Sequence, residues 1–187
     1  MKELSLNILD IAENSVKARA SLVQIALDRQ GDTLTLKIID DGCGMDKPTV
    51  ERVTDPFYTT RTTRPVGMGL SLLQLAAEQT GGGLTVESVS EKDDPEHHGT
   101  TVTTVFHPDH IDFEPIGDVV SSIITLIQGH PDTDFLFTHA DGEEKVELDT
   151  RQLREVLGDD VSLNSYDVLN WIEEFLREQY QESGVRV

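Results

Sequence analysis

The stretch Leu34-Thr35-Leu36-Lys37-Ile38-Ile39-Asp40-Asp41-Gly42-Cys43-Gly44-Met45 carries the reading of this chain. Leu34, Leu36 and Ile38 alternate with more polar residues, the period-2 pattern of a strand with one buried face. The strand runs straight into Asp40-x-Gly42-x-Gly44. Glycines at alternate positions past a strand let a backbone come close to a ligand, and the carboxylate at its end can accept from an amine. A plain turn would look the same at this point. Upstream, Val23, Ile25 and Leu27 alternate and Arg29-Gln30-Gly31-Asp32 turns, so a hairpin is expected.

Before the hairpin, residues 4–20 suit a helix. At about 100° per residue, Asp10, Glu13, Asn14 and Lys17 fall on one narrow arc, while nearly everything else from Ile8 to Ala20 is apolar or small. That stripe either faces water or lines a site inside a mostly buried helix. After the hairpin, Asp46–Val53 suits a short helix. The segment 59–66 has no apolar period. Gly67-Met68-Gly69-Leu70 then opens a helix running to Thr80, whose glycine-rich entry leaves backbone N–H groups at its positive end. Neither the G-x-G-x-x-G of a dinucleotide fold nor the G-K-[ST] of a P-loop is present. Strands at 84–90 and 100–106 close this part.

Asp10-x-x-x-Asn14, Asp40-x-Gly42-x-Gly44, Asp55-Pro56-Phe57-Tyr58-Thr59-Thr60, Gly67-x-Gly69-Leu70 and Gly99-Thr100-Thr101 occur in this order. Over residues 3–107 the chain resembles the superfamily of histidine kinases, gyrase B, the large heat-shock chaperone and mismatch-repair ATPases, whose nucleotide-binding core is the Bergerat fold. The resemblance implies a two-layer α/β sandwich, a mixed sheet covered by helices on one face. It implies ATP and Mg²⁺ as cofactors. Asn14 would hold the metal, and Asp10 would match the carboxylate that orients the attacking water, one methylene shorter than the glutamate preferred among the ATPases. Lys17 would meet a phosphate. Asp40 would accept the adenine amino group, Gly42 and Gly44 would leave room for the base with Met45 beside them, and Thr101 would support it from the next strand. Thr60 and Arg61 fall at the start of a lid, Phe57 and Tyr58 pack beneath it, and Gly67, Met68, Gly69 and Leu70 would frame the triphosphate. Ser71 stands where the kinases usually have a third glycine.

Composition bounds the partners. The 187 residues include 15 Lys plus Arg and 35 Asp plus Glu, a formal net charge of −20. This argues against nucleic acid and anionic membranes, which require a cationic footprint. No apolar run reaches the roughly 18 residues of a spanning helix, the first residues are too acidic for a signal peptide, and the one cysteine, Cys43, suits a reducing compartment. A soluble, cytoplasmic protein is expected. Residues 1–108 carry 10 basic and 16 acidic side chains, and residues 109–187 carry 5 and 19. We place a boundary there: an ATP-binding domain over 1–108 and an acidic α+β region over 109–187, with helices at 116–128, 150–157 and 165–181 and a hairpin across Asp141-Gly142.

The histidines His97 and His98 are expected to be solvated loop residues. In the last helix Val168, Trp171, Ile172, Phe175 and Leu176 form a stripe that either docks on the domain or meets a partner. With the first box beginning near residue 6, the chain looks most like a serine kinase of the anti-sigma class or a kinase core acting in trans. A regulatory kinase with a protein partner is expected, with an ATP-hydrolysing switch or a nucleotide-binding adaptor as alternatives. A homodimer stays open, and recognition of a basic partner is expected of the acidic region.

Overall fold

A computed structural model describes residues 3–55, 69–158 and 160–186. In chain order the elements are α1 (Leu4–Lys17), β1 (Leu22–Gln30), β2 (Thr33–Asp40), α2 (Lys47–Val50), α3 (Gly69–Gln79), β3 (Gly83–Val89), β4 (Gly99–Phe106), α4 (Val119–Gly129), β5 (Asp134–Asp141), β6 (Glu144–Asp149), α5 (Thr150–Leu157) and α6 (Tyr166–Ser183). The strands form one mixed sheet in the order β3-β4-β2-β1-β5-β6. Every neighbouring pair is antiparallel except β1 and β5, which run parallel.

Alternation along the strands decides the layering. Val23, Ile25 and Leu27 of β1, Leu34, Leu36 and Ile38 of β2, Val102 and Phe106 of β4, and Phe135 and Phe137 of β5 are all buried. They share one face, and the helices lie on it, with α1 touching α3 and α4, and α4 touching α6. The opposite face carries Gln24, Lys37, Thr101, Thr103 and Thr138, and among the described residues no helix lies over it. This is the expected two-layer α/β sandwich.

The expected boundary after residue 108 does not divide the core. β5 and β6 extend the sheet beyond β1, and Phe135, Phe137, Ile123, Ile172 and Leu176 join the same buried cluster as Ile8 and Leu27. The connection at Pro115–Ile116 also serves α1 directly. The residue before that helix, Glu3, supplies no side-chain cap; instead the N–H groups of Leu4 and Ser5 donate to the carbonyls of Pro115 and Ile116, at 3.0 and 2.8 Å. Helix-end donors that would otherwise be orphaned are thereby satisfied from 111 residues away in the chain. α1 ends three residues earlier than expected, because Arg19 takes the left-handed conformation at φ 65° and turns the chain towards β1.

The expected stripe of α6 splits. Val168, Ile172 and Leu176 are buried, whereas Trp171 remains 49% exposed. Among the described residues, no helix is long and apolar enough to cross a membrane.

Under α6, His139 of β5 is 1% exposed. Its Nδ1 lies 2.8 Å from the Tyr180 hydroxyl, and the rings meet edge to face at 5.7 Å. Burial lowers the imidazole from an ordinary 6.5 to about 4, against a weaker upward pull from Asp141, and burial also raises the Tyr180 hydroxyl. The unfolded chain therefore takes up a proton at His139 more readily than the folded one. Its contribution to stability is complete above pH 6.5 and is lost as pH falls from there towards 4, by about 2 kcal/mol at pH 5. Urea midpoints at pH 7 and pH 5 check this. The His139→Phe variant starts less stable, without the Tyr180 bond, but should fall less between the two pH values than the parent.

Candidate nucleotide site

The side chains on one face of α1 follow from spacing. Asp10, Asn14 and Lys17 stand at i, i+4 and i+7, so the helix presents all three together. They look into a cavity of about 880 Å³ whose walls also include Asp40, Cys43, Gly44, Met45, Gly69, Leu70, Thr100 and the loop Ser90–Asp93. Three of the four residues of the narrow polar stripe of α1 therefore line a cavity, and Glu13 lies outside it.

Asp40 closes the inner end. It is 9% exposed at the last position of β2, on the same face as the buried Ile38. Its two carboxylate oxygens are held separately: Ser15 Oγ donates to Oδ2 at 2.6 Å, and the Gly42 N–H donates to Oδ1 at 2.9 Å. Each oxygen keeps a second lone pair, so the carboxylate is fixed in orientation yet still able to accept. Its neighbour Asp41 turns away and accepts from the N–H groups of Ser21 and Leu22 at 2.7 and 2.9 Å, and from the Ser21 hydroxyl. Burial pushes the Asp41 carboxyl up, but these donors outweigh it and hold the group below its ordinary value. One aspartate ties the loop to β1 while the other addresses the cavity.

The loop from Asp41 to Asp46 is pinned on three sides. The Cys43 N–H donates to Ala18 O at 2.8 Å, the Glu91 N–H donates to Cys43 O at 2.9 Å, and the Met45 N–H donates to Ser88 Oγ at 2.8 Å. Ser88 Oγ in turn donates to Gly99 O at 2.9 Å and lies 2.8 Å from Thr100 Oγ1. The glycines of this region have packing reasons beyond room for a base. A Cβ on Gly44 would stand 1.8 Å from Val89 O, and one on Gly42 would stand 2.9 Å from the Ala18 Cβ. At the start of α3, a Cβ on Gly69 would stand 1.9 Å from Asp10 Oδ2. The Gly69 backbone and the Asp10 carboxylate, both lining the cavity, are thus in direct approach.

Lys17 leans on Glu13 at 3.4 Å, with 56% of its side chain exposed. Glu13 also receives His130 Nε2 at 2.7 Å, from the end of α4. Burial pushes the Glu13 carboxyl up, but His130 and Lys17 together hold it below the ordinary glutamate range. Among the described residues no group of three or more His, Cys, Asp or Glu could hold a metal by itself. A divalent cation here would rest on the Asn14 amide oxygen, the oxygens of a phosphate chain and waters, which suits Mg²⁺ better than a metal needing a complete protein cage.

Two expectations change. Thr101 pairs with Ile39 and so stands on the helix-free face of the sheet; Thr100, paired with Asp40, is the residue that reaches the cavity. Strand residues alternate faces, so a one-residue difference in phase exchanges one threonine for the other. His98 is also not merely solvated: its Nδ1 donates to Gly42 O at 2.6 Å. Thr60, Arg61, Gly67 and Met68, with Phe57, Tyr58 and the segment 59–66, lie outside the described residues. Sequence reasoning missed Ser15, Ser88 and the Ser90–Asp93 wall. Ser15 carried a signal, since it follows Asn14 on a buried helix and a buried hydroxyl requires a partner.

A model of the histidine kinase-, DNA gyrase B- and HSP90-like ATPases matches residues 2–110. The chain belongs to this family. The segment is an ATP-binding domain of that type, similar to histidine kinase catalytic domains. It is 28% identical over 107 residues to a putative sensor protein of Shewanella frigidimarina, covering 57% of this chain and 15% of that protein. It is 26% identical over 103 residues to sporulation kinase B of Bacillus subtilis, covering 55% of this chain and 22% of that protein. The chain thus spans less than a quarter of the length of these relatives. Among solved structures, the N-terminal domain of a DNA repair protein superposes with a TM-score of 0.59 at 18% identity, covering 85% of this chain and 58% of that one. That likeness concerns the fold, and it extends past residue 110 into the second part of the sheet.

Removing the Ser15 hydroxyl leaves Asp40 held by the Gly42 N–H alone. Ser15→Ala should weaken ATP binding about 3- to 10-fold, as the carboxylate loses its fixed orientation, and should cost about 1.5–3 kcal/mol of stability, the usual worth of a hydrogen bond to a charged group. Calorimetric titration of the variant checks this.

Proposed function

We propose that this chain is an Mg²⁺-ATP-dependent regulatory protein that transfers the γ-phosphoryl group to a protein partner in trans. The observation that carries the reading is the oriented Asp40 carboxylate lining the same cavity as the Asp10–Asn14–Lys17 face of α1. Asp40 offers acceptors to an exocyclic amine, as adenine has and guanine lacks at the corresponding position. Asn14 offers a neutral hard oxygen to Mg²⁺, and Lys17 offers a mobile cation within reach of a phosphate. Phosphoryl transfer asks little covalent chemistry of the protein, so positioning and charge suffice. The net charge of −20 supports a cytoplasmic protein that acts on another protein rather than on nucleic acid or a membrane.

Asp10 favours a second reading, an ATP-hydrolysing switch. It stands one turn before Asn14 with its carboxylate lining the cavity beside Gly69, where it could orient a water. ATP labelled in the γ-phosphate separates the readings. Label on a partner protein supports the kinase, label released as inorganic phosphate supports the switch, and neither, with binding intact, leaves an adaptor. In either active case Asp10→Asn should leave the ATP affinity within about threefold and slow turnover at least 10-fold.

A further inference from the structure

One face of α6 presents a surface that the nucleotide site does not use. Trp171 stacks on Phe175 with ring centroids 5.0 Å apart and 9° between planes, and it stays 49% exposed. One face of the indole is therefore covered by Phe175, and about half of the residue is open to solvent. At 100° per residue, Asp167, Glu174, Glu178 and Glu182 all fall within about 60° of Trp171 around the helix. They form a stripe about 22 Å long, at 1.5 Å per residue. All four are exposed, and none makes an ion pair or side-chain hydrogen bond among the described residues. No Lys or Arg falls in that arc: Arg177 lies to one side, where it pairs with Glu173 and Asp118. Some other acids of this region are matched, as Asp134 is by Arg154 and Asp141 by Arg186.

We infer that this face of α6 docks an arginine-bearing, cationic segment of the partner protein. This rests on the reading that the chain works on a second protein, and it names that partner's chemistry. A guanidinium suits both halves of the surface: its plane lies on the open indole face, and its N–H fork pairs with the flanking carboxylates. A strongly hydrated ammonium matches the carboxylates but stacks less well. A plain apolar partner would bury four unpaired carboxylates, which is costly.

Trp171 is the one tryptophan of the chain, so its emission reports on this face alone. The full chain is titrated with a 12-residue peptide of alternating Arg and Ser, and with Lys/Ser and Glu/Ser peptides of the same length. The Arg peptide should change the emission saturably, bind at least threefold tighter than the Lys peptide, and weaken at least 10-fold between 50 and 300 mM salt. The Glu peptide should do nothing. Neutralising the stripe in Glu174→Gln/Glu178→Gln should raise the Arg peptide's Kd at least fivefold. Neutralising Glu87→Gln/Glu96→Gln, on β3 and the β3–β4 loop at the other edge of the sheet, should not change it. Equal losses in the two double variants mean diffuse attraction to an acidic chain and overturn the inference, as does saturation without any emission change. ATP titration of the same samples keeps the two proposals apart: peptide failure with ATP binding intact removes only this surface, and the converse removes only the nucleotide reading.

Discussion

Asp40→Asn should raise the Kd for ATP by about 10- to 100-fold while the chain stays folded. The carboxylate accepts from Ser15 Oγ and from the Gly42 N–H on different oxygens. An amide has only one acceptor oxygen, so its NH₂ must meet one of those donors whichever way it is turned. The loss is therefore a charge-assisted hydrogen bond inside the protein, together with the acceptor offered to the ligand's amine. Hydrogen bonds to charged groups contribute about 1.5–3 kcal/mol, and 1.4 kcal/mol is tenfold in affinity. Calorimetric titration gives the affinity, and circular dichroism checks the fold. An unchanged Kd would remove Asp40 from the ligand's surroundings.

Gly44→Ala should cost about 2–4 kcal/mol of stability and lower the thermal midpoint by roughly 5–15 °C. Two effects add. At φ +62° an alanine pays about 1 kcal/mol for the left-handed conformation, and its Cβ would stand 1.8 Å from the Val89 carbonyl oxygen. That oxygen is backbone of β3 and cannot rotate aside, so loop and strand must separate, an overpacking cost of about 1–3 kcal/mol. The separation would also strain the Met45–Ser88 bond that holds the cavity wall. Gly142 gives the comparison. Its φ is +64°, but nothing lies within 4 Å of an added Cβ, so Gly142→Ala should cost only the conformational part. Equal midpoints for the two variants would show that the contact at Val89 does not resist displacement.

Much of the fold was legible because its signals are local. Alternation of Val23, Ile25 and Leu27 against Leu34, Leu36 and Ile38 predicts a hairpin, and the observed register pairs Ile25 with Ile38 and Leu27 with Leu36. The i, i+4, i+7 spacing of Asp10, Asn14 and Lys17 is as local, and all three line the cavity. Asp40 could be found from the strand's end.

What was not legible depends on which distant segments meet. The parallel pairing of β5 with β1 sets Phe135 against Val23 across 112 residues, and no periodicity in either strand encodes it. A composition break at residue 108 marks where charge changes and where the family match closes, but a continuous sheet can carry two charge regimes. The exchange of Thr100 for Thr101 has the same origin: β4 alternates regularly, yet its phase is visible only in its pairing with β2, which sets Thr100 against Asp40. His98 and Glu91 reach the adjoining loop only because the β3–β4 connection folds over it, and an acidic, polar stretch reads as solvated until its contacts are known.

The central claim is that the cavity between α1, β2 and α3 is an adenine-selective ATP site. Calorimetric titration of the full chain with Mg²⁺-ATP and with Mg²⁺-GTP tests it most directly. The structure predicts one saturable site for ATP and an affinity for GTP at least 50-fold weaker, with the difference largely abolished in Asp40→Asn. Equal affinities for the two nucleotides, or no heat with ATP, would contradict it.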